Sequence, residues 1–539
     1  MTFHRKFFKM SLLVSAGLVA AIATVPAASA RTKVTPYLEV GQVVTADLNG
    51  GDVLTYSTIA AGIDASIANK RSEAQVSYRY ERRIGYGGKV NDNDVHTGLA
   101  RARYEVVNNV LSIEGGAIAT RARSDIRGSA PGLLVGNVDN VTQVYSGYAG
   151  PTLTTNVGDL TVGAGYRIGY TRAEAGNFTT PAGQPAIDRF DDSVTQLATA
   201  SVGMKSGVLP FGWTVSGAFE REDAGQLDQR FESKNIRGDV VLPVSPTLAA
   251  VAGVGYEDIQ ASQRSALADA NGAPVVDRNG RFVTDPNSPR LLAYNQDGLF
   301  YDVGVIWRPS QRTNVEAHVG KRYGGLSYTG SATYAASSAT SFQINVYDQV
   351  ETFAQQLNDN LALLPTNFTA PNNGLNSQVG GCIFGSGSGR GGGCLNSAFQ
   401  SVNSSVFRSR GITALASTNR GPLNFGVGLG YAQRRYRTPI TGAGISLNGV
   451  TDQSYFGEGR VSYQIDDSSN VNAQVFASLY DSGIIGAPNV LSTGATGAYN
   501  RSFGDHLSTT AAVGLFSSRI DGQDGDLTGT ALLGMRYSF

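Results

Sequence analysis

The feature that most constrains this chain is a two-residue alternation of apolar and small or polar side chains that returns, segment after segment, to the last residue. At 74–82, Ala74, Val76, Tyr78 and Tyr80 share one face, and Gln75, Ser77, Arg79 and Glu81 share the other. At 160–171, Leu160, Val162, Ala164, Tyr166, Ile168 and Tyr170 oppose Thr161, Gly163, Gly165, Arg167, Gly169 and Thr171. The same split recurs at 423–434 and 471–480. A period of two is the signature of a β-strand with two different environments on its faces.

Alternation alone also suits a soluble sandwich, so other features must decide. The apolar segments run close to the ~9–11 residues a tilted membrane strand needs. Aromatic side chains gather near segment ends, at Tyr78, Tyr80, Tyr104, Tyr166, Tyr170, Trp307, Tyr431, Tyr436 and Tyr537, as interfacial girdles require. The opposite face carries Arg, Glu and Gln, which a dry core would not hold unpaired. Charged residues make up only 16% of the chain, yet no stretch beyond the first thirty residues is apolar enough for a membrane helix. The reading is an all-β, transmembrane, antiparallel up-and-down β-barrel of about 22 strands, within a range of 18–22, the first near 34–46 and the last near 527–539.

Residues 1–30 read as a signal peptide. Arg5, Lys6 and Lys9 form the basic start, residues 11–24 the apolar run, and Ala28, Ser29 and Ala30 the cleavage site. Residues 31–539 are then one outer-membrane barrel domain. Removing three cations from 43 Lys+Arg against 43 Asp+Glu leaves about −3, which excludes a nucleic-acid footprint. Links after even-numbered strands are short, and those after odd-numbered strands include every long one, notably 260–297 and 349–405. Short periplasmic turns and long outer loops are the barrel rule, so both termini are expected in the periplasm.

Arg79, Arg101, Arg103, Arg167, Arg434 and Arg460 fall on the expected lumen face with Glu81, Glu105, Glu114, Glu316, His318 and Glu458. Mixed signs close to neutrality suggest a hydrated wall suited to weakly charged, hydroxylated solutes rather than an ion filter; the charges also suit cross-strand pairing. Gly426, Gly428 and Gly430 make room on one strand face. Cys382 and Cys394 are expected to form a disulfide in the 349–405 loop. That loop either folds into the lumen or stands in the medium. Asn271, Gly272 and Asn279, Gly280 signal type I′ turns, with a weaker calcium reading there and at 521–526. His318 and Glu316 are the best acid/base pair, but three His beyond residue 30 give catalysis little support, and no catalytic residue, cofactor or metal is assigned. Tyr537 and Phe539 resemble the C-terminal signal read by the barrel-insertion machinery.

Residues 298–355, with Trp307, Arg308, Pro309, Ser310, Arg312 and Thr313, then Lys321, Arg322 and Tyr323, then Ser341 and Tyr347, resemble the outer-membrane β-barrel porin group associated with PEP-CTERM/exosortase systems. Glycines follow Tyr323 where that group has an aromatic pair. The resemblance covers about a tenth of the chain and supplies no ligand or catalytic residues. It implies a channel for export of extracellular polysaccharide, with periplasmic polysaccharide-export proteins as partners beside outer-membrane lipid and lipopolysaccharide. A general diffusion porin and a closed structural or surface-binding barrel remain alternatives. A TonB-dependent receptor would share the strand number, but strands starting next to Arg31 leave no room for its N-terminal plug.

Overall fold

Alternation of this kind can satisfy every backbone hydrogen bond in lipid only if the sheet meets itself, and in the computed structural model it does. The structure describes residues 31–86, 93–127, 140–174, 187–369, 374–375, 378–385, 391–439, 446–522 and 525–539. Residues 1–30, the expected signal peptide, lie outside them. The strands are β1 (Arg31–Asp47), β2 (Val53–Ala68), β3 (Ser72–Gly85), β4 (Asn93–Val107), β5 (Leu111–Arg123), β6 (Val141–Val157), β7 (Leu160–Ala173), β8 (Asp192–Met204), β9 (Gly212–Ala224), β10 (Arg230–Ser245) and β11 (Leu248–Gln263). They continue as β12 (Leu291–Ser310), β13 (Thr313–Arg322), β14 (Gly325–Ala335), β15 (Thr340–Glu351), the two-residue β16 (Cys382–Ile383) and β17 (Gly393–Cys394), β18 (Val406–Arg420), β19 (Leu423–Arg437), β20 (Thr451–Asp466), β21 (Ser469–Asp481), β22 (Val490–Phe503), β23 (Leu507–Ile520) and β24 (Asp526–Ser538). Apart from β16 and β17, which pair with each other, these form one 22-stranded antiparallel sheet. β1 closes the ring by pairing with β24, from Tyr37 opposite Ser538 to Asp47 opposite Thr528.

The alternation sorts side chains between lipid and lumen. Leu299, Leu533 and Val513 are 74%, 71% and 64% exposed on the outer face, which no water-soluble sheet would tolerate in a continuous band. Tyr104, Trp307, Tyr334, Tyr463 and Tyr537 ring one end of that band, and Tyr78, Tyr256, Tyr301, Tyr328 and Tyr455 the other; all are exposed. Tyr436 corrects the girdle reading. It is fully buried inside the barrel, with its hydroxyl donating to Asp452 at 2.7 Å.

Arg31, the first described residue, and Phe539 both lie at the end where connections are short, such as 421–422 and 467–468. The long ones lie opposite, and the strands trim them: the expected 260–297 loop spans 264–290, and 349–405 spans 352–405. Within 264–290, Gly272 and Gly280 adopt φ of +79° and +76°, but Asn271 and Asn279 stay out of the left-handed region. A type I′ turn needs both, so the structure overturns that expectation. Asp269 and Asp277 instead cap their turns, each carboxylate accepting from two backbone N–H groups at 2.8–2.9 Å. Among the described residues no group of three or more His, Cys, Asp or Glu is arranged to hold a metal; residues 523–524 of the 521–526 cluster lie outside them.

The I′ geometry occurs at Tyr323 and Gly324, with φ of +54° and +72° between the paired Arg322 and Gly325. This hairpin is short. β12 continues to Leu291 beyond it, and β14 pairs with β15 only from Gly330 to Ala335, leaving a notch in the rim. Arg408 bridges the notch. It binds Asp348 at 2.7 Å and donates to the Leu326 carbonyl at 3.1 Å, while Tyr323, Tyr294, Val350 and Val406 pack beneath.

Candidate functional site

The segment between β15 and β18 enters the lumen. It opens with helix α1 (Phe353–Leu363), whose start is set by a capping box: the Gln355 N–H donates to the Thr352 hydroxyl, and the Gln355 side chain accepts from the Thr352 N–H. Phe353, Ala354, Leu357 and Leu361 form its apolar face. They pack on Leu99, Ile118, Val144 and Tyr148 of the wall, and Phe353 meets Phe190 edge-on at 5.2 Å. Burying each large side chain contributes roughly 1.5–3 kcal/mol. The wall makes room with glycine: a Cβ at Gly116 would press on Leu361, and one at Gly169 on Asn358. Asn358 is held by Ser146 at 2.9 Å and Thr195 at 3.0 Å.

The rest of the plug touches the wall on β1–β5 and β18–β24. Phe368 exchanges two backbone hydrogen bonds with the Gln75 side chain at 2.7 and 2.8 Å. Leu375 sits among Val43, Tyr56, Ala512 and Leu532. Cys382 and Cys394 are joined by a disulfide, which locks β16 to β17. The bonded pair lies over Gly428, and the Phe384 ring lies 2.9 Å from where a Gly426 Cβ would stand. The glycines of β19 therefore leave space for the plug.

Each residue read as lumen wall faces inward, and the set divides in two. One group clamps the plug. Arg101 donates to the Ala362 and Leu364 carbonyls at 2.9 and 3.1 Å, placing a cation at the C-terminal end of α1. Arg167 pairs with Asp359 of α1, Glu458 accepts from the Cys382 N–H at 2.8 Å, and Arg434 donates to the Ser401 hydroxyl at 2.9 Å. The other group belongs to the wall: Arg79 with Glu39 and Glu81, Arg103 with Glu114 at 3.4 Å, Arg460 near Glu458 at 3.8 Å, and Glu105 close to the short-connection end of β4. His318 lies between Asp302 and Glu316, 2.9 Å from each, so both ring nitrogens are taken by carboxylates. The sequence reading missed Asp452, Glu39, Asp64, Asp302 and Arg536. It also missed Arg237, which joins Asp239 and Asp302; the two-residue spacing of Arg237 and Asp239 was its visible signal.

The plug leaves one flank of the lumen uncovered. Inward-facing Thr329 and Thr333 of β14 remain exposed, and the Glu316 side chain is 42% exposed. Two and three strands further round the ring, inward-facing Ser409 of β18 and Arg434 of β19 are fully buried.

No protein-family model matches the chain, and no curated protein matches it. Similar solved structures include the apoprotein form of the FrpB iron transporter from Neisseria meningitidis, with 10% identity and a TM-score of 0.42, covering 94% of this chain and 81% of that one. The ferric-catecholate import receptor Fiu from E. coli K12 matches at 10% identity and a TM-score of 0.41, covering 93% and 81%. The siderophore receptor PiuA from Acinetobacter baumannii matches at 8% identity and a TM-score of 0.41, covering 93% and 82%. Scores this low say nothing of what this chain carries.

Proposed function

We propose that this protein is an outer-membrane channel whose path follows the β10–β14 flank of the lumen, and that it passes hydrated, near-neutral polymer in the export of extracellular polysaccharide. The carrying observation is the one-sided plug, which buries the β18–β20 wall and leaves Thr329 and Thr333 open to water. A narrow path lined by hydroxyls and by mutually paired charges such as Arg237, Asp239 and Asp302 offers hydrogen bonds without a strong field of either sign. The resemblance at 298–355 points the same way. Its Trp307–Thr313 and Lys321–Gly325 stretches border β13, which contributes Glu316 and His318 to this flank.

The short connections at the end that holds Arg31 and Phe539 support a periplasmic placement of both residues. Partners on this reading are outer-membrane lipid and lipopolysaccharide, the insertion machinery and periplasmic polysaccharide-export proteins.

Single-channel recording in planar bilayers tests the path. Wild type should pass small currents, and deletion of 370–400 should enlarge them; silence from both ends the channel reading in favour of a closed structural barrel. Deleting the gene and assaying surface polysaccharide tests the cargo. Unchanged polymer secretion removes the export role and leaves a diffusion channel.

A further inference from the structure

A second space lies beside α1, between the rest of the plug and β1–β4. It is a cavity of about 340 Å3, within the roughly 300–1,000 Å3 of small-molecule clefts. Phe368, Gly374 and Val379 of the plug line one side. Lys33, exposed near the start of β1, lines it toward the end that holds Arg31 and Phe539.

The chemistry of its walls is specific. Arg79 pairs with Glu39 at 2.7 Å, and Arg536 with Asp64 at 2.7 Å. The Arg536 guanidinium lies 3.4 Å over the Tyr37 ring, and Ser77 donates to Asp64 at 2.8 Å. These charges hold one another, so the cavity presents fixed donors and acceptors with little net field. Apart from Lys33 at the mouth, an ionic ligand would have to break a pair to gain one. A neutral ligand need not: an ionised carboxylate has about four lone-pair sites, so Glu39 and Asp64 can each accept further hydroxyls. Thr35 and Ser66 add hydroxyls of their own. Leu99, Phe368 and Val379 supply an apolar strip beside this polar array. Ligands that are polar at their edges and C–H on their faces match both.

We propose that this cavity is a binding site for a neutral, hydroxyl-rich ligand, a short stretch of uncharged saccharide docking at the end of the lumen where Arg31 and Phe539 lie. The choice of saccharide over other polyols rests on the polymer-export reading above.

The test is calorimetric titration of the purified full-length barrel with cellohexaose and maltohexaose, set against hexagalacturonate and inorganic phosphate. Ser66→Trp and Thr35→Trp fill the cavity from two different strands, so the test survives if one variant does not fold; heat-modifiable mobility on gels identifies folded barrels. At least one neutral hexaose should bind, and each folded variant should weaken it by about tenfold or more. Three results overturn the site: no neutral hexaose binds wild type, a folded variant binds it unchanged, or hexagalacturonate or phosphate binds more tightly. Calorimetry needs no open pore, which separates the two readings. A barrel that binds hexaose but carries no current keeps the site and loses the channel. A conducting barrel that binds neither hexaose keeps the channel and loses the site.

Discussion

Arg434 and Asp452 form an ion pair on adjacent strands in which neither side chain has any exposed surface. Asp452 also accepts from Tyr436 at 2.7 Å and Tyr480 at 3.1 Å, and Arg434 reaches the plug at Ser401. Removing one partner of such a pair leaves a buried charge and costs about 3–5 kcal/mol. Asp452→Ala should therefore loosen the plug around Ser401 while the hydrogen-bonded ring persists. Limited proteolysis should show new cuts within 391–405 in a barrel that still migrates as folded, and Asp452→Asn should show fewer.

Gly428 faces the disulfide so closely that any side chain there meets Cys382. Gly428→Leu should push the β16–β17 hairpin off the wall, an overpacking cost of about 1–3 kcal/mol. The expected readout is larger single-channel current with an intact barrel. Gly497→Ala, where an added Cβ meets nothing within 4 Å, is the control and should leave the current unchanged.

Asp188, in the connection before β8, joins three outer segments. It accepts from the Phe282 N–H and the Ser404 hydroxyl, both at 3.0 Å, and from the Gln226 side chain. Desolvation outweighs these hydrogen bonds and pushes its carboxyl up from the ordinary 3.8 to about 6. The closed form thus holds a proton that the opened form releases. Its stabilisation is full below pH 3.8 and is lost as pH rises through about 6. Hydrogen exchange at 187–191, 226–229 and 282 should slow on going from about pH 7.5 to 5, beyond the intrinsic pH effect on exchange. Asp188→Asn should remove that dependence.

Phe539 follows β24, with its N–H donating to the Pro36 carbonyl at 3.0 Å and its ring edge-on to Tyr537 at 5.2 Å. If the pair is read during insertion, Phe539→Ala should lower the amount of assembled barrel in the outer membrane several-fold, while Phe539→Tyr should retain it. Heat-modifiable mobility of membrane fractions measures this.

How legible all this was depended on range. The strands from β1 to β24 in the wall could be read because their signal is local: Tyr166 and Arg167 differ in environment simply by being adjacent. Tyr436 misled because an aromatic near a strand end suits a girdle as well as a buried cap, and only its parity with Arg434 distinguishes them. The Asn-Gly pairs misled because aspartates two positions earlier stabilise a competing turn, whereas Tyr323 enters the left-handed region because Arg322, Arg408 and the packed notch hold it there. The destination of the 352–405 segment carried no period to read. Its clues were on the far side of the ring, in the glycines of β19 and in Arg101, and they became meaningful only when the register of the closed sheet brought them opposite α1. Asp302 shows the same limit, since nothing near it in sequence announces Arg237 or His318.

The plug leaves the wall after β15 and returns to it at β18, and those two strands are direct neighbours. A stopper tied at both ends to one seam of its own bottle cannot be lost. Displacement swings it about that seam without opening the ring, and the same anchors guide it home, so sealing the pore again needs no partner and no synthesis.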